Sequence, residues 1–200
     1  MSEAGRAQPV FEIRTVAVIG AGVAGRRFAL ACAGAGFHVV LEDVMPANLR
    51  KAEAGYAGMT TGQASLGTAG RLDLALTVED AVREADIAVD FVPDELESKL
   101  EIFSMIDRMA PPKTILCTPS YALSITDLAS CVYRPDRCVA VRGDLVRDSS
   151  DGRTVVRLLY PAAAAELALR AVTGFLDALG IEARRELDPD APALMKNAMA

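Results

Sequence analysis

The stretch Val16-Ala-Val-Ile-Gly20-Ala-Gly22-Val-Ala-Gly25, followed eighteen residues later by Asp43 at the end of Val39-Val-Leu-Glu-Asp, decides how this chain is read. An apolar run entering a Gly-x-Gly-x-x-Gly turn predicts a buried parallel strand, a tight loop and a helix from about Val23 to Ala35. Gly20 permits the turn, Gly22 lets backbone approach a pyrophosphate, and Gly25 lets the helix pack closely on the strand. The expected nucleotide contacts are Gly20, Ala21, Gly22, Val23, Ala24 and Gly25, with the pyrophosphate on the unpaired amides of the helix N-terminus. Asp43 stands near the spacing of about 20 residues at which an acid accepts the ribose 2′-hydroxyl. Glu42 lies beside it and no Arg or Lys follows until Arg50, so a 2′-phosphate is repelled and the expected cofactor is NAD rather than NADP. A glycine-rich loop without a ligand, or a fold that has lost its nucleotide, is the bland alternative.

Composition bounds what surrounds this motif. Two hundred residues suit one domain, or a domain with a short appendage, and with 52% hydrophobic and 24% charged residues the chain should be globular. A net charge of −6 argues against nucleic acid or an anionic membrane surface as the main partner, though a local basic pocket is compatible with it. Cys32, Cys117, Cys131 and Cys138 form no C-x-x-C pair and no metal spacing, so no metal is expected and reduced thiols in a cytoplasm are. The first residues read as the nucleotide strand and helix rather than a signal sequence, and no apolar stretch of about 20 residues predicts a membrane span. The excess of arginine over lysine, with abundant alanine, hints at a bacterial source.

Strand candidates at Thr15–Gly20, His38–Asp43, Ile87–Val92, Thr114–Thr118, Cys138–Val141, Val155–Leu159 and Ala183–Leu187 alternate with helical stretches. That alternation predicts an α/β, Rossmann-type doubly wound, mostly parallel sheet in a single domain. Thr77-Val-Glu-Asp80 resembles a capping box for a helix over Glu79–Ala85, and Pro93-Asp94-Glu95 opens another to about Met109. Residues 55–71 read as an irregular excursion, and a helix runs from Pro161 to Leu179 before Gly180. The divisions are a 1–12 extension, a 13–187 NAD-binding domain and a 188–200 tail or interface segment.

In this order the pieces resemble the N-terminal, NAD-binding domain of the 3-hydroxyacyl-CoA dehydrogenases. The matching stretches are the glycine fingerprint, Ala85-Asp-Ile-Ala-Val-Asp-Phe-Val-Pro-Asp-Glu-Leu-Glu-Ser-Lys99, Met109-Ala-Pro-Pro-Lys-Thr-Ile-Leu-Cys117 and Leu123-Ser-Ile-Thr-Asp-Leu-Ala129. The resemblance implies cofactor contacts at Val92 and Pro93, and places Asp94 and Lys99 where an acid and a lysine lie near the nicotinamide ribose. From the residues alone these two are a helix cap and a solvated charge.

The resemblance also exposes departures. The family's catalytic histidine corresponds to Arg142 and its orienting glutamate to Arg157, so both halves of a His–Glu dyad are arginine here. A second family asparagine corresponds to Asn197, and the helical C-terminal domain has no counterpart. Arginine stays protonated and cannot serve as a general base, whereas its fork suits a carboxylate or phosphate. Arg142 therefore reads either as a site for an anionic substrate group or as a surface charge; Arg147, Arg153 and Arg157 read as surface charges paired with Asp144, Asp148 and Asp151. Tyr121 is the candidate proton carrier if a cation such as Arg142 lowers its pKa, with ring packing as the alternative. The only histidine, His38, begins a strand at the opposite end of the sheet.

The expected function is a divergent NAD-dependent oxidoreductase on a small hydroxy or oxo acid, or an acyl substrate with an anionic group; Tyr121, Arg142 and Asn197 are its candidate catalytic residues. The alternatives are a non-catalytic NAD-binding module or partner subunit, and a non-redox enzyme reusing the cleft. Apolar Leu194, Met195 and Met199 predict that 190–200 packs on a second copy in a homodimer, or on a partner protein, unless it folds back.

Overall fold

Val16, Ala17, Val18 and Ile19 are at most 1% exposed, which requires cover on both faces of the strand they form. Strands β1 (Thr15–Ile19), β2 (His38–Glu42), β3 (Leu72–Ala75), β4 (Ile87–Asp90), β5 (Ile115–Pro119), β6 (Cys138–Arg142), β7 (Thr154–Tyr160) and β8 (Ile181–Leu187) form one sheet. Helices α1 (Val23–Gly34), α2 (Pro46–Gln63), α3 (Val78–Val82), α4 (Leu96–Met109), α5 (Ile125–Ala129) and α6 (Glu166–Ala178) cover it. The computed structural model describes residues 11–63, 70–146 and 154–188. The strand order is β3-β2-β1-β4-β5-β6-β7-β8, parallel throughout except where β7 runs against β6. The expected α/β, doubly wound, mostly parallel architecture is what the chain adopts.

Alternate side chains of the strands feed two cores. Val16, Val18, Val39 and Leu41 join Phe28 of α1 and Val172 and Phe175 of α6 on one face. Ala17, Ile19 and Leu116 join Ile102, Phe103 and Ile106 of α4 on the other. Strand order reverses between β1 and β4, so the loops leaving their C-terminal ends diverge and leave a crevice there, the usual ligand position in such sheets.

Three local features differ from the sequence expectations. α2 continues as a helix through Gln63, where an irregular excursion from about residue 55 was expected. Its stripe is Leu49, Ala52, Tyr56 and Met59, at helical spacing but built from a weak apolar signal, and docking on α1 stabilises what propensity alone does not. A Cβ at Gly55 would stand 3.0 Å from Leu30 Cδ1, so the two helices pack in close contact there. β3 is a four-residue edge strand that period-two reasoning did not single out. α6 starts at Glu166 rather than Pro161, because the Ala164 amide donates to Pro161 O and the Ala165 amide to Asp136 O instead of propagating a helix.

Polar ties close the periphery. Asp86, 6% exposed, accepts the amides of Arg14 and Thr15 at 2.9 and 3.0 Å and pairs with Lys113, locking the entry to β1 against β4. Asp107 receives the Tyr133 amide and Arg134 Nε at 2.8 and 2.6 Å. Asp188, the first residue of the expected tail, is 5% exposed and accepts Ser124 Oγ at 2.7 Å and the Thr126 amide at 2.9 Å. The expected interface segment 190–200, with Asn197, lies outside the described residues, as do Arg147, Asp148, Asp151 and Arg153. Among the described residues no helix is long and apolar enough to cross a membrane, and no group of side chains has a metal-binding arrangement.

Burial works against the Asp86 carboxylate, but Lys113 and the Thr15 and Arg14 amides outweigh it and hold its pKa below the ordinary value. A depressed acid contributes stability above its unfolded value of about 3.9, and that contribution is lost as pH falls through the lower folded value. Asp86→Ala should lose about 2 kcal/mol at pH 7, since two amides lose their acceptor. Denaturant curves from pH 7 to 2 should show the gap from wild type narrowing once the pH falls below about 3.9, as the charge-dependent part is lost. A second expectation concerns Gly25, where a Cβ would lie 2.0 Å from the Gly20 carbonyl oxygen. Gly25→Ala should cost about 3 kcal/mol in the same measurement, because backbone must move to admit it.

Candidate functional site

The glycine loop joins β1 to α1 at the centre of the crevice. Gly20 has φ +96°, a conformation that L side chains rarely adopt. At Gly22 a Cβ would have no atom within 4 Å, so the backbone there faces open space. The N-terminus of α1 begins immediately afterwards with no side-chain cap and no acid in its first turn. Its free amides and positive dipole end form an anion cradle directly above β1, which fits a pyrophosphate. Ala21 is buried and Val23 is 68% exposed at the mouth of this cradle.

Asp43 sits beside the loop, where β2 ends. Its Oδ2 accepts the Ala21 amide at 2.8 Å and Asn48 Nδ2 at 3.1 Å, while Oδ1 accepts the Met45 amide at 2.7 Å. These bonds fix the carboxylate against the glycine loop and, with two donors on Oδ2 and one on Oδ1, leave one Oδ1 lone pair for a further donor. Glu42, 5% exposed, has its pKa raised by burial and then by the charge of Asp43. Sequence reasoning overlooked Arg26, whose Nη1 approaches Ala21 O at 3.4 Å and sets a guanidinium beside the loop. The signal available was its place one residue after the last glycine, on the first turn of α1.

The second wall is the turn from β4 into α4. The Val92 amide donates to Asp90 Oδ1 at 3.2 Å, and Pro93 is exposed next to it. Asp94 reaches across the crevice, its Oδ2 accepting the Tyr121 amide at 3.0 Å. Burial opposes its ionisation, but hydrogen bonds from Ser120 and the amides of Tyr121 and Ala122 outweigh that and hold the carboxyl below the usual range. Asp94 thereby ties the β4–α4 turn to the β5–α5 loop. Lys99 is 1% exposed, and its Nζ lies 2.8 Å from Asp90 Oδ1, with Asp90 itself fully buried. Burial pushes the Asp90 carboxyl up against the attraction of Lys99. The Lys99 ammonium is thus turned toward Asp90 beneath the crevice rather than into open space, an orientation that residue spacing does not reveal.

Tyr121 is 71% exposed on the β5–α5 loop. That loop is held from two sides, by Asp94 and by Arg142 Nη2, which donates to Leu123 O at 3.1 Å. The strand register places Arg142 directly opposite Arg157 on the antiparallel β6–β7 pair. The two arginines differ in how they are neutralised. Arg157 makes a two-pronged pair with Glu186, at 2.6 and 2.5 Å. Arg142 makes no ion pair among the described residues, and its Nε is buried without a hydrogen-bond partner. Asp144 accepts the Val146 amide at 3.0 Å, while its expected pairing with Arg147 or Arg153 lies outside the described residues.

The remaining candidates lie away from this crevice. His38 Nε2 is 2.9 Å from Asp73 Oδ2 at the start of β2, the end opposite the glycine loop. Burial raises the thiol pKa of Cys32, Cys138 and Cys117, the last to about 12, so these three are core thiols. The described site therefore gathers residues 20–25, Asp43, Val92, Pro93, Asp94, Tyr121 and Arg142 around one cleft, with Lys99 under its floor.

Comparison with known proteins agrees with this geometry. A family model described as 3-hydroxyacyl-CoA dehydrogenase, NAD binding domain, matches residues 15–142. A probable 3-hydroxybutyryl-CoA dehydrogenase of Bacillus subtilis is 32% identical over 139 residues, which are 65% of this chain and 48% of that protein. A 5-formyl-3-hydroxy-2-methylpyridine 4-carboxylate 5-dehydrogenase of Mesorhizobium japonicum is 30% identical over 135 residues, 64% of this chain and 44% of that protein. The chain thus spans less than half the length of these relatives. The crystal structure of 3-hydroxybutyryl-CoA dehydrogenase from Escherichia coli K12 superposes with a TM-score of 0.75 at 23% identity, covering 88% of this chain and 39% of that one, a likeness of fold. Glycine cradle, acid, strand order and family match converge: the chain belongs to the 3-hydroxyacyl-CoA dehydrogenase family, and residues 15–142 are its NAD-binding domain.

Proposed function

We propose that this chain is an NAD-dependent oxidoreductase whose substrate is a small hydroxy or oxo acid, or an acyl compound, held through an anionic group by Arg142. The observation that carries the reading is the contrast between the paired arginines of β6 and β7. Arg157 is neutralised by Glu186, whereas Arg142, at the C-terminal end of β6 beside the crevice, makes no ion pair among the described residues and has a buried Nε without an acceptor. A planar guanidinium in this state is suited to a carboxylate, which supplies charge and two acceptors together. The Mesorhizobium japonicum relative carries a carboxylate in the name of its substrate, which agrees with this choice.

Bound NAD supplies hydride exchange with the substrate. The chain supplies placement: the Gly22 space and the α1 amides receive the pyrophosphate, with Arg26 at the edge. Asp43 would receive a ribose hydroxyl through Oδ1, while Glu42 adds a second acid against any 2′-phosphate. Asp94 and Arg142 fix the β5–α5 loop from opposite sides and set Tyr121 at the mouth of the cleft. Arginine takes no proton at neutral pH, so the proton accompanying hydride transfer passes through Tyr121 or water. The second reading is an NAD-binding module without turnover, favoured by the presence of arginine at both cross-strand positions, 142 and 157.

Calorimetry should show NAD binding in preference to NADP, and Asp43→Asn should weaken NAD by about 1 to 2 kcal/mol through loss of charge-assisted hydrogen bonds. Tighter NADP binding would remove Asp43 from this role. In an NADH-oxidation assay, acetoacetate should react faster than its ethyl ester, and Arg142→Gln should erase that preference. Acetoacetyl-CoA should react slowly, since loss of the acid–base group costs on the order of 10² to 10⁴ in rate. Equal rates for acid and ester would reject anion recognition by Arg142; no turnover of any compound with intact NAD binding would favour the module.

A further inference from the structure

A second cavity lies at the other end of β1, remote from the glycine loop. It has a volume of about 300 Å³, is bounded by the segment entering β1, Phe37 before β2, and one side of α6, and opens to solvent along Arg170, Gly174 and Ala178. That size is at the lower end of small-molecule sites, and its walls are chiefly apolar, as such sites are. The base is firm: Phe37 and Phe175 meet edge to face at 5.0 Å, and Ile13 is 5% exposed. α6 carries two apolar stripes. Leu169, Val172 and Leu176 are buried in the core beneath the helix, whereas Leu167, Ala171 and Gly174 line the cavity.

Gly174 is the telling residue. It stands in the interior of α6, where glycine costs helix stability, yet a Cβ there would meet no atom within 4 Å. No close approach demands glycine, and Gly174 is exposed where it lines the open side of the cavity. At the rim, Glu166 Oε1 is shared by Arg170 Nε at 3.0 Å and Arg185 Nη1 at 2.9 Å, so one carboxylate serves two guanidiniums. The Arg170 terminal nitrogens have no hydrogen-bond partner among the described residues, and Glu12 on the facing wall is already engaged by Arg14. Among the described residues the rim therefore holds surplus positive charge above an apolar pit.

We infer that this cavity is a ligand site separate from the dinucleotide cleft, taking an aliphatic monocarboxylate with its chain in the pit beside Gly174 and its head on Arg170. Methylene groups entering such a pit each raise affinity on the order of fourfold, until the space is filled. Charge and chain are both needed, which separates this ligand from a neutral lipid and from a simple anion.

Calorimetry on the full chain with saturating NADH tests this with butanoate, hexanoate and octanoate. Affinity should climb along the series, and octan-1-ol should bind about fivefold or more weakly than octanoate, since it cannot form the charge-assisted bond. Gly174→Leu, which fills the pit, should abolish octanoate binding while NADH binding persists. Gly174→Ala, which favours the helix, should still weaken octanoate several-fold, so a folding defect in the larger variant does not decide the matter. Arg170→Gln should weaken octanoate as the missing charge does in octan-1-ol, and Arg142→Gln should leave it unchanged. No octanoate binding at millimolar concentration, or binding indifferent to both Gly174 variants, would overturn the site. Octanoate binding lost in Arg142→Gln would assign it to the dinucleotide cleft instead.

Discussion

The contact on which the rest of this structure depends is between Gly25 and the carbonyl of Gly20. No Cβ fits there, since it would stand 2.0 Å from the oxygen, so helix and strand meet backbone to backbone. This approach aims the first turn of α1 across the C-terminal end of β1 and brings Ala21 within reach of Asp43. Cradle and ribose acid are therefore one assembly: the carboxylate that would receive the nucleotide also holds the loop that would receive its phosphates. Burial of β1 on both faces makes this geometry rigid, because any shift of the strand would disturb two cores at once.

The opposite wall of the cleft is organised by charge rather than by close packing. Asp94 and Arg142 grip the β5–α5 loop from two strands' distance, one through an amide and the other through a carbonyl. Beneath them the Lys99–Asp90 pair is sealed from water, where breaking one partner leaves an uncompensated charge. A cleft framed in this way tolerates different chemistry at its mouth, and positions 142 and 157 are where such a difference falls. Two like charges directly opposite on a ladder repel. The β8 strand relieves this by presenting Glu186, which pairs directly with Arg157 and is attracted less strongly by Arg142, so that among the described residues Arg142 makes no direct ion pair.

Much of this was legible in the sequence because the signals were local. The apolar run into Gly20, the glycine spacing, Asp43 and the alternation of elements each depend on residues near one another along the chain, and they determine the doubly wound fold and its cofactor. The family motif around Asp94 and the arginines at positions 142 and 157 were likewise present in the linear order. α2 beyond residue 55 and β3 were not, because their stripe and pairing are too weak to persist without the neighbours they dock on. Tertiary structure alone decided that Lys99 turns inward to Asp90, that Arg26 stands by the glycine loop, that Arg157 pairs directly with Glu186 while Arg142 makes no ion pair among the described residues, and that a glycine in α6 lines a cavity. Each of these rests on contacts between segments distant in sequence, and the energy of a charge or a void is set by what surrounds it rather than by what precedes it along the chain.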